Sequence, residues 1–299
     1  MVSIQGEYLR ADAVFRRWIG QEGLEPEAGR YHLYVALACP WSHRSVIVRR
    51  LKGLEDAIGI SYLDPFRDER GWAFAGGRYV DDVNGFEFLA EAYKATDPSY
   101  DDRISVPVLW DTKTGTIVNN ESADIIRMFE TVFDEVAENP ELDLYPEPLR
   151  DEIDAINEWV YSEFNNGVYR AGFSKSQRAY DAAFDRVFDA LARIEALLGE
   201  RRYLAGDVIT EADWRLFPTL VRFDAVYHTH FRCNGRRIID CPNTWAYARE
   251  LFQRPGIADT VAMDEIKRHY YTTHDELNPK RIIPAGPLGV DWWAPHGRG

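Results

Sequence analysis

Apolar residues along this chain follow two different rhythms. Tyr31 to Ala38 (YHLYVALA) is a continuous β-prone run that ends in Cys-Pro-Trp, the mark of a buried strand. From Trp41 onward, Val46, Ile47, Val48 and Leu51 recur within a basic stretch closed by Gly53, which predicts a helix. Ile60 to Leu63 reads as a second short strand. A long Gly- and Asp-rich insertion follows, with one helix expected around Phe86 to Lys94. Val106–Trp110 and Thr116–Val118 are strands joined by a Lys-Thr-Gly turn, hence a hairpin. Ser122 to Phe133 then returns to helical spacing through Ile125, Ile126 and Phe129. The predicted order is β-α-β-(insertion)-β-β-α.

Residues 134–149 (DEVAENPELDLYPEPL) are acidic and hold three prolines, as expected of a linker. Beyond them strand signals nearly vanish. Ile153, Ile156, Val160 and Phe164 fit one helix face, and Tyr180, Ala183, Phe184, Val187, Leu191, Ile194 and Leu198 fit a second. The expected organisation is an extension over 1–27, an α/β domain over 28–135, a linker over 136–149, an all-α domain over 150–270 and a tail over 271–299.

Composition narrows the function. At 299 residues, 45% hydrophobic and 13% aromatic, the chain can bury a sizeable core. Its 35 basic and 49 acidic residues give a net charge of −14, which argues against a nucleic-acid or anionic-membrane partner. No apolar run approaches the ~20 residues that span a bilayer, and MVSIQGEYLR lacks a signal-peptide pattern. Three cysteines, Cys39, Cys233 and Cys241, are too few for a disulfide scaffold, so a reducing, cytoplasmic setting is expected.

Chemistry concentrates at Cys39-Pro40-Trp41-Ser42, where a strand hands over to a helix. Unpaired N–H groups and the positive end of the dipole at a helix start favour thiolate over thiol, and Pro suits the first turn. Arg44 lies one turn on and adds positive potential. Ser42 stands where a dithiol site would hold its second cysteine, so an outside thiol must resolve any mixed disulfide. In a thioredoxin-type domain the Pro of Ser105-Val106-Pro107 would be cis and face the reactive thiol, leaving the Val106 backbone to pair with a peptide ligand. Asn119-Asn120-Glu121-Ser122 offers Ser122 as a helix cap and anion site and Glu121 as an acceptor for an ammonium, a fit to an α-amino-acid head group. Thr210 and Asp213 form a capping box flanked by Ile209 and Trp214 at hydrophobic-staple positions.

In this order, on an α/β half followed by a helical half, these pieces resemble the glutathione transferase superfamily: a thioredoxin-like N-terminal domain and an all-α C-terminal domain. CPWSHR, RISVPVLWD, TIVNNES, NNGVYRAGF, RFDAVYHTHFRCN and IKRHYY are similar to the signature of its xi class, the glutathionyl-hydroquinone reductases, over roughly residues 28–283. The resemblance implies Cys39 as nucleophile, with Trp72, Arg103, Val106, Glu121 and Ser122 holding glutathione as co-substrate. It implies Tyr169, Tyr227 and Tyr270 (or its neighbour Tyr271) at an aromatic substrate site, Tyr227 as proton donor, and a homodimer. The implied reaction removes glutathione from a glutathionyl-hydroquinone through a Cys39–glutathione disulfide. Alternatives are a conventional conjugating transferase, an omega-like thiol transferase, and a non-catalytic binding module that needs no thiolate. His228, His230, Cys233 and Cys241 superficially suit zinc, but helical spacing sets the two histidines on different faces, so two structural cysteines, two polar loop histidines and no metal are expected.

Overall fold

In a computed structural model, which describes residues 5–298, the apolar run at Tyr31 becomes β1 (Tyr31–Val35), every residue of it buried. Residues 1–4 of the extension and residue 299 of the tail lie outside the described residues. α1 (Pro40–Leu51) carries the chain to β2 (Ile58–Tyr62), which pairs with β1 in parallel. The insertion then leads to α2 (Leu89–Thr96). β3 (Val108–Asp111) and β4 (Thr116–Asn119) form the hairpin, and α3 (Ser122–Thr131) closes the series and packs on α1. Strand order is β2-β1-β3-β4, with β3 antiparallel to both neighbours. A strand at the sheet's centre has both faces covered, which is why β1 reads as unbroken apolar sequence.

The insertion is more ordered than its composition suggests. Trp72, Leu89, Ala92 and Tyr93 join Tyr34, Val108, Trp110 and Ile117 in one buried cluster. Asp81 pins the polar part: it accepts from the Tyr34 hydroxyl (2.9 Å) and from the N–H groups of Val83, Asn84 and Phe86. The extension also has a role here. Arg17 N–H donates to Val118 C=O (3.0 Å) and Arg16 bridges to Asn119, so the segment after Asp12 runs along β4.

The helical half forms a second unit. α4 (Arg150–Trp159) buries Ile153 and Ile156 and passes through a wide π-type turn, Val160–Asn165, into α5 (Gly167–Gly172). α6 (Gln177–Glu200) is capped by Ser176, which accepts from Ala179 N–H (3.2 Å), and buries Ala183, Val187, Leu191, Ile194 and Leu198. α7 (Glu211–Arg222) opens on the capping box and ends in a second wide turn, Phe223–Tyr227. α8 (Pro242–Phe252) receives the tail, where Trp292 packs on Trp245 and Phe252 (4.7 and 5.1 Å between ring centres).

The boundary between units differs from the composition shift. The sheet unit comprises Asp12–Asp143 and Asp259–Thr273; the helical unit comprises Leu144–Ala258 with the described residues of Met1–Ala11 and His274–Gly299. The acidic stretch is anchored to the sheet unit by the buried Lys52, whose ammonium donates to Asp134 (2.6 Å) and to the carbonyls of Pro140 and Leu142. α9 (Met263–Thr273), most of which falls within the all-α domain expected over 150–270, belongs to the sheet unit. His269 stacks on Trp72 at 4.9 Å and bonds Pro65 C=O at 2.7 Å, while Arg268 pairs with Asp64 and Arg78 with Glu265. Among the described residues no helix is long and apolar enough to cross a membrane.

Candidate active site

Cys39 is the N-cap of α1 and Pro40 its first residue. The Cys39 N–H donates to Ala36 C=O (2.9 Å), and its carbonyl accepts the first helical bond, from His43 (3.0 Å). Its side chain makes no capping bond and is half-buried; the thiol points at the Val106 carbonyl, 3.8 Å away. The Val106–Pro107 peptide is cis. Ser42 is wholly buried, its hydroxyl accepting weakly from Ala36 N–H (3.4 Å). Arg44 is buried as well, its guanidinium 4.6 Å above the Trp41 ring. Cys39 packs against the cluster that contains Trp72 and Val106, so three of the expected site residues meet in the sheet unit.

Val106 is buried, and among the described residues nothing accepts from its N–H. A backbone N–H that the fold leaves without an acceptor can pair with an extended peptide. Arg103 is exposed, on a loop held by the Tyr100 hydroxyl, which donates to the Arg103 carbonyl at 2.9 Å. A guanidinium on a fixed loop suits a carboxylate. The roles within Asn119–Ser122 need a correction: Glu121, not Ser122, is the N-cap of α3. The Glu121 carboxylate accepts from Ala123 N–H (3.0 Å) and from the Ser122 hydroxyl (3.4 Å), which makes Ser122 the first helical residue. Glu121 wins the position because its carboxylate folds back over its own helix start, where negative charge is favoured.

In the helical unit, the two wide turns bring Tyr169 and Tyr227 together at 5.9 Å between ring centres. Tyr227 is stacked on Phe231 (5.4 Å), and Phe231 contacts Tyr169 and Phe173 edge-on. Gly172 allows this, since a Cβ there would lie 2.4 Å from the Phe231 ring. Arg10 lies 4.8 Å over the Tyr169 ring. Tyr227 is wholly buried, so packing is part of its work. Tyr270 is grouped apart from these two, in α9 of the sheet unit beside His269; Tyr270 and Tyr271 are both buried.

His230 lies in the turn that follows Phe223–Tyr227, as expected of a loop histidine, but it is buried. Its Nε2 lies 3.2 Å from Nδ1 of His274, and burial lowers its pKa to about 4. Cys233 and Cys241 are buried thiols directed at the Phe231 and Arg237 carbonyls, and burial raises the pKa of each. Among the described residues no three His, Cys, Asp or Glu side chains gather as metal ligands.

The glutathione S-transferase N-terminal domain model matches residues 38–132, and the corresponding C-terminal domain model matches residues 177–250. The chain is 48% identical to glutathionyl-hydroquinone reductase YqjG of Escherichia coli (strain K12), over 99% of this chain and 93% of that protein. It is 46% identical to glutathionyl-hydroquinone reductase PcpF of Sphingobium chlorophenolicum, covering 94% and 90%. The glutathione-bound YqjG structure superposes with a TM-score of 0.92 at 49% identity, covering 95% of this chain and 96% of that one. The xi-class glutathione transferase of Natrialba magadii gives a TM-score of 0.93 at 52% identity, covering 95% and 88%. This chain belongs to the xi class of the glutathione transferase family.

Several residues around this xi-class site escape sequence reasoning. The Tyr93 hydroxyl donates to Ser105 C=O (2.8 Å), and Asn120 Nδ2 reaches both Tyr93 Oη (3.1 Å) and Ser105 Oγ (3.2 Å). Burial keeps the Tyr93 pKa above its ordinary value, so the hydroxyl remains a donor. Tyr93 stands within the helical pattern of the insertion, and nothing in its spacing marks it. His269 under Trp72 is likewise hidden, because the pairing is long-range.

Proposed function

We propose that this chain is a glutathionyl-hydroquinone reductase that works through a Cys39–glutathione mixed disulfide. The observation that carries the reading is a thiol, rather than a hydroxyl, at the N-cap of α1, aimed at the Val106 carbonyl from 3.8 Å. A hydroxyl there would activate glutathione's own sulfur for conjugation. A thiolate there instead becomes bonded to it.

Cys39 thiolate attacks the sulfur of the glutathionyl-hydroquinone. The ring is attacked in its ketone form, in which the sulfur-bearing carbon already holds a proton. The new S–S bond forms as the ring carbon–sulfur bond breaks, the electron pair passes through the ring to the ketone oxygen, and that oxygen takes a proton to give hydroquinone. The thiolate of a second glutathione attacks the mixed disulfide, releasing oxidised glutathione and regenerating the Cys39 thiolate. Trp72 and Val106 line the glutathione site beside Cys39, Arg103 and Glu121 answer its carboxylate and ammonium groups, and Ser122 supports Glu121. Tyr169, Tyr227 and Tyr270 serve the aromatic portion, with Tyr227 donating to the ring oxygen as charge develops. No metal enters these steps. A cytoplasmic homodimer completes the reading; the free cysteines accord with a reducing compartment, and sedimentation would test the dimer.

The test is turnover of a glutathionyl-hydroquinone by Cys39→Ala. A folded variant should lose activity entirely, and Cys39→Ser should bind glutathione without forming an adduct. Substantial turnover by the folded Cys39→Ala variant refutes the reading.

A further inference from the structure

The extension and the two loops that carry the glutathione residues share a single hydrogen-bonding hub. Asn120 is buried, with its side-chain oxygen accepting from Phe15 N–H (3.0 Å) and its own N–H donating to Phe15 C=O (3.0 Å). Its amide nitrogen serves Tyr93 Oη and Ser105 Oγ, so both side-chain donors and the carbonyl oxygen are directed across three separate segments. Ser105 immediately precedes Val106, and Asn120 immediately precedes Glu121. Tyr93 closes the circuit by donating to Ser105 C=O and accepting from Ser105 N–H (3.2 Å). The extension is itself fixed: Arg16 makes a bidentate pair with Asp124 of α3 (2.7 Å each), Arg17 N–H bonds Val118 C=O, and the Phe15 ring packs on Tyr93 and Tyr100.

We infer that Asn120 is a positioning residue for glutathione: with Tyr93 and the Phe15 backbone it holds the Val106 loop and the Glu121 turn at the spacing of one tripeptide. The inference rests on the proposed function in taking those two segments to hold glutathione. Two ends of one ligand must be met at once, so a network that fixes their separation contributes affinity through preorganisation. The segment from Asp12 to Ile19 is thereby a structural part of the ligand site, a role no periodicity in its sequence announces.

The test is glutathione affinity by calorimetry on the full chain carrying Cys39→Ser, with Asn120→Ala, Tyr93→Phe or both added. Each single change should raise Kd about five- to tenfold, and the pair should cost little more than either alone, because both open one network. Thr210→Ala, far along the chain in the helical unit, is the stability control and should leave Kd unchanged. Phe15→Pro set against Phe15→Ala isolates the donated N–H, with the weaker binding expected of proline; this arm decides if Asn120→Ala does not fold. Unchanged Kd in the folded variants, or losses shared by Thr210→Ala, would overturn the inference. Hydroquinone turnover plays no part in the measurement, so a chain that binds glutathione but lacks the proposed activity fails that reading alone.

Discussion

Asp213 and Thr210 look equivalent in a capping box, but the structure separates them. Asp213 is wholly buried, and its carboxylate accepts four bonds: from Leu204 N–H (3.0 Å), Thr210 N–H (2.8 Å), the Thr210 hydroxyl (3.3 Å) and the Tyr247 hydroxyl (2.7 Å). Removing it in Asp213→Ala orphans two backbone donors and a phenol in the core. Each orphan costs about 1–3 kcal/mol, and water entering the vacated space together with relief of carboxylate desolvation offsets part of the sum. A net loss of about 3–5 kcal/mol is expected. Thr210→Ala forfeits only the long hydroxyl bond, since its backbone N–H stays paired, and should cost about 0.5–1 kcal/mol. Urea unfolding followed by fluorescence of the nine tryptophans reads both, with activity per folded molecule measured alongside. Equal losses in the two variants, or less than about 1 kcal/mol for Asp213→Ala, would refute this assignment of the energy.

Tyr227→Phe keeps the ring stacked on Phe231 and removes one oxygen, so glutathionyl-hydroquinone reduction should fall about 10²- to 10³-fold while reduction of a small glutathione mixed disulfide barely changes. Equal losses on both substrates would make Tyr227 a packing residue, and no loss on either would pass the donor role to Tyr169 or Tyr270. Acid stability gives a further prediction. His32 is buried, 2.8 Å from the Ser61 hydroxyl, and burial lowers its pKa to about 4. Its contribution is full above the unfolded value of about 6.5 and is lost as pH falls toward and through 4; His32→Gln should flatten that decline by about 1–3 kcal/mol in urea unfolding, and an unchanged slope would contradict it.

What the sequence made legible were features of local origin. The strand-helix-strand order, the hairpin turn, the long face of α6 and the helix start at Cys39-Pro40 depend on neighbours within a few residues, and all are where the pattern puts them. Features set by distant partners were hidden. Lys52 looks like a surface residue of a basic helix until Asp134 and two linker carbonyls surround its ammonium. α9 carries no label directing it to Trp72 and Asp64. Glu121 displaced Ser122 as cap because the turn after β4 put the longer side chain at the N-cap position, a choice one residue wide. His230 stands in the loop where the sequence puts it, but its burial against His274, a partner far along the chain, was hidden.

The most direct test of the central claim is mass spectrometry of the intact full chain, followed by peptide mapping, after reaction with a glutathionyl-hydroquinone in the absence of added glutathione. One glutathionyl group should appear on Cys39, with one equivalent of hydroquinone released, and added glutathione should remove it as oxidised glutathione. An adduct on Cys233 or Cys241 instead, or hydroquinone release with Cys39 never modified, would contradict the account.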